Sequence, residues 1–215
     1  MPNQFVLVVS IVDEDKGSRV METAQKMGIS GGTVMKAEGS VQGKILNMLG
    51  FTSNRKELCL NLIKSEKEAR FIEKINQELA VEKAHHGIVF SLPVEAAMGL
   101  RNHDTVYLNE KRERSGKMDA IFTIVDNGLA EDVIAEAKSV GAKGGTVMHA
   151  RGSGIENNET LFNFVIEPEK EVILILSEKD QSAMIANHLN RTFKLEEEGQ
   201  GILFVIDVKS AIGTR

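Results

Sequence analysis

Short apolar runs alternate with longer amphipathic ones along this chain, and the two kinds follow each other in a fixed order. "FVLVVSIV" (Phe5–Val12) and "DAIFTIV" (Asp119–Val125) are rich in β-branched and aromatic residues. They are too short for helices, so they predict central strands. After each comes an apolar stripe at spacings of three and four, Val20, Ala24 and Met27 or Val133, Ala137 and Val140, which predicts a helix with one face turned inward. Gly28 and Gly141 follow, where a left-handed C-terminal cap is expected. "GGTVMKAE" and "GGTVMHAR" predict a second strand that opens on permissive backbone. A third strand, "KELCLNLI" or "KEVILIL", runs into "SEKE" or "SEKD", the spacing of a capping box. A second helix carries Ile72, Ile75 and Leu79, or Met184, Ile185 and Leu189, and "GIVFSL" or "GILFVI" closes each series.

The order βαββαβ is that of a ferredoxin-like unit, an antiparallel four-stranded sheet backed by two helices. It occurs twice. Gly28–Gly39 and Gly141–Gly152 share eight of twelve residues and lie 113 positions apart. That period is too long for a solenoid and points to domain duplication. The expected fold class is therefore α+β, with two tandem ferredoxin-like domains over 1–100 and 117–215. The charged stretch 101–116 between them, which holds the only tyrosine, Tyr107, is the expected linker.

Composition narrows the function. Apolar residues make up 42% and charged residues 27% of the chain, as in a soluble globular protein. The net charge of −5 and the lack of a basic stripe argue against nucleic acid and anionic membrane as partners of the whole chain. The third strands offer no aromatic residues on which RNA bases would stack. Cys59, the only cysteine, sits in an apolar run and is expected to be a buried thiol; one cysteine leaves no internal disulfide or Cys-based zinc site. No signal pattern precedes Phe5, and the run that follows is too short to cross a bilayer, so a cytoplasmic protein is expected.

Catalytic signatures are absent. The five histidines include one adjacent pair, His85 and His86, which would face opposite ways on extended backbone, and there is no HExxH, GxSxG or P-loop. No enzyme is expected. The runs "EPEKE" and "LEEEG" read as solvated loop charges. The repeated Gly-Gly remains. It is either a tight structural turn or a place where main-chain N–H groups, unshielded by side chains, meet a phosphate or carboxylate. Each second strand ends at Gly39 or Gly152 and opens into an excursion of roughly sixteen residues, where about two to five would close a hairpin. Such loops usually serve contact with something else. His149 and Arg151 alternate along the second copy's strand and so share a face at the loop mouth. Both are candidates for an anion, with the guanidinium preferred.

These residues carry a resemblance. The pattern "GISGGTV" (Gly28–Val34), strand, glycine, long loop and then "GIVFSLPVE" (Gly87–Glu95) resembles the P-II nitrogen regulatory proteins and their divergent PII-like relatives. It covers nearly all the chain outside the linker, although "GILFVIDVK" in copy two lacks the Pro and Glu. The resemblance implies a homo-oligomer, here a trimer of tandem chains, with a small anionic effector bound in clefts between neighbouring units. It implies an adenine nucleotide (ATP, ADP or AMP) as that effector. It also implies T-loops, here residues 40–55 and 153–168, that order or release to regulate an enzyme, transporter or channel of nitrogen or carbon metabolism.

The expected ligand-binding set is Gly32, Thr33, Gly39, Gly87 and Arg101 in copy one, with Gly145, Thr146, His149, Arg151, Gly152 and Gly201 in copy two. The family's nucleotide-sensing lysine falls on Ile88 and Ile202. The first of its two late arginines falls on Gly99 and Gly213 and the second on Arg101 and Arg215, which leaves one cation of the set per copy. Neither loop carries the family's modifiable tyrosine. No metal is expected. A metal-binding trimer of the CutA type shares this architecture, and a structural adaptor without a ligand is the other alternative.

Overall fold

Strand β1 (Phe5–Asp13), helix α1 (Gly17–Lys26), strands β2 (Thr33–Ser40) and β3 (Ser53–Lys64), helix α2 (Glu68–Leu79) and strand β4 (Ile88–Pro93) realise the first series of apolar runs. The computed structural model describes residues 4–29, 31–40, 53–83, 86–100, 105–108, 116–152, 160–161, 164–165 and 168–212. The second series follows as β5 (Ala96–Met98), β6 (Met118–Asp126), α3 (Ala130–Ser139), β7 (Thr146–Gly152), β8 (Thr160–Leu161), β9 (Phe164–Val165), β10 (Glu169–Glu178), α4 (Lys179–Thr192) and β11 (Ile202–Val208). The chain is α+β and forms two compact units. One contains Leu7–Ser91 and Ala150–Glu167; the other contains Met1–Val6, Leu92–His149 and Pro168–Arg215.

In the first unit the strands lie in the order β4-β1-β3-β2, the antiparallel order of a ferredoxin-like sheet. β2 runs against β3 from Thr33 opposite Leu60 to Ser40 opposite Ser53. Helix α1 buries Val20, Met21 and Ala24, and α2 buries Phe71, Ile75 and Leu79. These stripes at three- and four-residue spacing remove apolar surface from water. Cys59 is a free, buried thiol in the same core. The short strands β8 and β9 form a hairpin with Thr160 opposite Val165.

In the second unit the order is β7-β10-β6-β11-β5. The core gathers Ile121, Ile173, Ile175, Ile185, Leu189 and Leu203. Its outermost strand comes from the first copy: β5 runs antiparallel to β11, with Met98 opposite Leu203, Ala97 opposite Phe204 and Ala96 opposite Val205. Part of the charged stretch between the copies docks beside it. Ala97 bridges Val106, and the hydroxyls of Thr105 and Tyr107 each donate to Glu196 at 3.0 Å.

Two local expectations change. The capping boxes do not form. Ser65 opens a 3-10 turn, Ser65–Lys67, before α2 begins without a side-chain cap. In the second copy the β10–β6 ladder runs on through Ser177 and Glu178, opposite Asp119 and Met118, so Ser177 stays in the strand. Met184, expected to face inward, is exposed. The buried stripe of α4 is Ser182, Ile185, Ala186, Leu189 and Asn190, and Met184 lies one position off it.

A repeated device closes the start of each copy's first helix. The first N–H groups of a helix lack intrahelical acceptors, and neither α1 nor α3 has a side-chain cap from its own flank. A buried carboxylate from the neighbouring strand takes that role. Glu57 accepts from Gly17 N–H at 2.7 Å; Glu171 accepts from Gly128 and Ala130 N–H at 3.0 and 2.9 Å. A negative charge there also opposes the positive end of the helix dipole.

The lysine preceding each glutamate is paired as well: Lys56 with Asp13 at 2.5 Å, and Lys170 with Asp126. Hydrogen bonding from Lys56 holds the Asp13 carboxyl below its ordinary value of 3.8. A lowered folded-state value adds stability above the ordinary value, and that stability is lost as pH falls through the folded value. Lys56→Met is therefore expected to weaken the protein at neutral pH. The deficit against wild type should narrow below pH 3.8, as urea unfolding at neutral pH and about pH 3 will show.

Candidate functional site

The two Gly-Gly turns start alike and then diverge. Each follows a helix that ends at a glycine of positive φ, Gly28 or Gly141. In copy one the turn is tied down. The Lys67 ammonium donates to the carbonyls of Met27 and Gly28 at 3.1 and 3.2 Å, which satisfies the helix end and sets a cation on its negative pole. Asn61 Nδ2 donates to the Gly31 carbonyl at 3.2 Å. A Cβ at Gly32 would lie 2.4 Å from Asn61 Nδ2 and 2.8 Å from the Leu60 carbonyl oxygen. Glycine is required there by packing, and Thr33 beside it is buried.

In copy two Gln181 and Ile175 occupy the places of Lys67 and Asn61, each 114 positions on. A Cβ at Gly144 would meet nothing within 4 Å, and Thr146 is exposed. This turn lines a cavity of about 340 Å³ within the second unit, in the size range of small-molecule sites. Lys143, Gly144, Gly145 and Thr146 form one side; Leu174, Leu176 and Met118 give an apolar wall, and Gln181 and Ser177 add polar groups. Ile212 also borders it. An apolar wall facing an ammonium, a hydroxyl and glycine backbone can seat a flat apolar group that carries an anion.

The other expected site residues fall elsewhere. Gly87 and Gly201 let the closing strand approach the first: a Cβ would lie 2.5 Å from the Ile11 carbonyl oxygen in one copy and 2.6 Å from that of Ile124 in the other. Gly39 is opposite Asn54, and Gly152 is opposite Thr33. His149 is exposed on β7. Arg151 is opposite Val34, with its Nη2 on Glu57 Oε1 at 2.5 Å, so its guanidinium is held on the carboxylate that closes α1. Arg101, Gly213, Arg215 and most of the two T-loop segments lie outside the described residues. Gly145 and Thr146 thus share one cavity with Lys143 and Gln181, two residues the sequence reading did not single out. Their signal was the exchange of Lys67 for Gln181 and a lysine inside "GAKGGT".

Among the described residues no three His, Cys, Asp or Glu side chains stand together to hold a metal ion. No helix among them is long and apolar enough to cross a membrane.

Residues 5–104 and 118–215 each match the family model of nitrogen regulatory protein P-II. The chain belongs to this family, whose members are regulators rather than enzymes. Similar solved structures include Arabidopsis thaliana PII bound to citrate, 22% identical with a TM-score of 0.38, over 52% of this chain and 91% of that one. Another is the B. subtilis GlnK–ATP complex, 21% identical with a TM-score of 0.36, over 46% of this chain and 90% of that one. No curated protein matches the chain.

Proposed function

We propose that this chain is a PII-type regulator that binds a small anionic effector of the adenine-nucleotide class in the cavity beside Lys143–Thr146. Residues 40–55 and 153–168 would then present a protein target, an enzyme, transporter or channel, with a surface that depends on occupancy. The chain would act in the cytoplasm as a homo-oligomer of tandem domains, 1–100 and 117–215, joined by 101–116. The observation that supports the reading most is the difference between the turns: one is stitched shut by Lys67 and Asn61, and the other borders a cavity. Copy one then serves structure and copy two serves binding. The apolar wall takes the base, while Lys143 and the Gly144–Gly145 backbone take the anion.

Thermal shift with ATP, ADP, AMP and citrate tests this. Citrate is included because Arabidopsis thaliana PII is known bound to it. A ligand at about a hundred times its Kd adds about 2.7 kcal/mol to stability, so at least one panel member is expected to raise Tm clearly. Lys143→Ala is expected to abolish the rise, and Lys67→Ala at the corresponding turn is expected to keep it. A flat response across the panel would sink the reading in favour of a structural adaptor.

A further inference from the structure

The internal repeat supplies the same strand edge twice, once covered and once open. In the second unit β5 covers the edge of β11, and the covered residues are shielded: Phe204 is 1% exposed, Ala97 0% and Met98 1%. Phe204 also stacks on Phe122 with ring centroids 5.0 Å apart. The counterpart of β11 is β4. It ends the strand order of the first unit, so among the described residues no strand lies beyond it. There Phe90, the counterpart of Phe204, is 40% exposed and Ile88 is 59% exposed. The counterpart of β5 is Ser210–Ile212, which is not in a strand, and Ile212 is 98% exposed. Natural edge strands are usually blunted by charged residues, yet β4 reads "IVFSLP" and holds no charge.

We infer that Ser210–Ile212 of one chain adds as an antiparallel strand to β4 of a second copy, in the register that β5 takes on β11. Residues equivalent to the observed pairs give Val89 opposite Ile212, Phe90 opposite Ala211 and Ser91 opposite Ser210. Each copy-one segment then covers its own chain's β11, and each copy-two segment covers the next chain's β4. The contact is head-to-tail, joining different surfaces on the two chains, and it repeats until a ring closes. The exposed apolar residues of β4 and Ile212 are buried by one event. This deepens the assembly part of the proposed reading and makes no use of the effector.

Light scattering on the full chain without ligand tests it. Wild type is expected at an integral multiple of the single-chain mass. Phe90→Asp and Ile212→Asp, each checked for native circular dichroism, are expected at the single-chain mass. An equal mixture of the two variants is expected at twice that mass, because one retains a good β4 and the other a good C-terminal segment. Ile88→Asp replaces Phe90→Asp should the latter misfold. A monomeric wild type, an Ile212→Asp protein that still self-associates through β4 alone, or a mixture that stays monomeric would each overturn the proposal. Because no ligand is present, a flat thermal-shift panel leaves this result unaffected.

Discussion

Glu57→Ala is expected to lower the stability of the full chain by about 3 kcal/mol in urea unfolding. The carboxylate is buried and serves two partners at once, the Gly17 N–H and the Arg151 guanidinium. Removing it strands the helix donor, and loss of a cap alone costs about 1–2 kcal/mol. The rest comes from the void and the lost ion pair. The Arg151 side chain is 34% exposed, so water recovers part of its charge. Arg151→Ala is expected to cost about 2 kcal/mol, because it leaves a buried charge with fewer donors. Since both changes break the same pair, the double variant should cost less than the two added together. A Glu57→Ala protein within about 0.5 kcal/mol of wild type would show that the carboxylate is incidental to the fold.

Gly99→Ala is expected to be of similar severity, about 3 kcal/mol, from two causes acting together. Gly99 has a φ of 79°, in the left-handed region, and a Cβ there would stand 2.2 Å from the Gly201 carbonyl oxygen and 2.8 Å from that of Leu195. Both neighbours are backbone, so the clash is relieved only by shifting β5 away from β11. By resemblance this is the position of the family's first late arginine. Gly99→Arg is accordingly expected to melt at lower temperature than wild type and to gain no nucleotide affinity. A Gly99→Arg protein of wild-type stability, measured by thermal unfolding with and without ATP, would contradict the packing described here.

The fold was legible because each strand run is β-branched and short, each helix stripe has period 3.6, and the order is written twice. The inner residues of α1 and α2 follow directly from Val20, Ala24, Ile75 and Leu79. The glycine turns were legible as special, but their divergence was not. It rests on contacts across about forty positions, Lys67 to Met27 and Asn61 to Gly31, and such pairings leave no periodic trace. Glu57 and Glu171 were hidden for a related reason. A glutamate near the start of an apolar run reads as a solvated strand end unless a helix N-terminus is known to lie across from it. The pairing of β5 was hidden too, since three small or flexible residues, Ala96–Met98, carry no β signal of their own.

The placement of β5 has a consequence for synthesis on the ribosome. Ala96–Met98 leave the ribosome well before β11, at Ile202–Val208, exists to receive them. At about 5–20 residues per second the wait is roughly 5–20 s. Over that interval an apolar segment finished early has no permanent seat, and premature release or a pause within the second copy would prolong its exposure to chaperones and to other nascent chains.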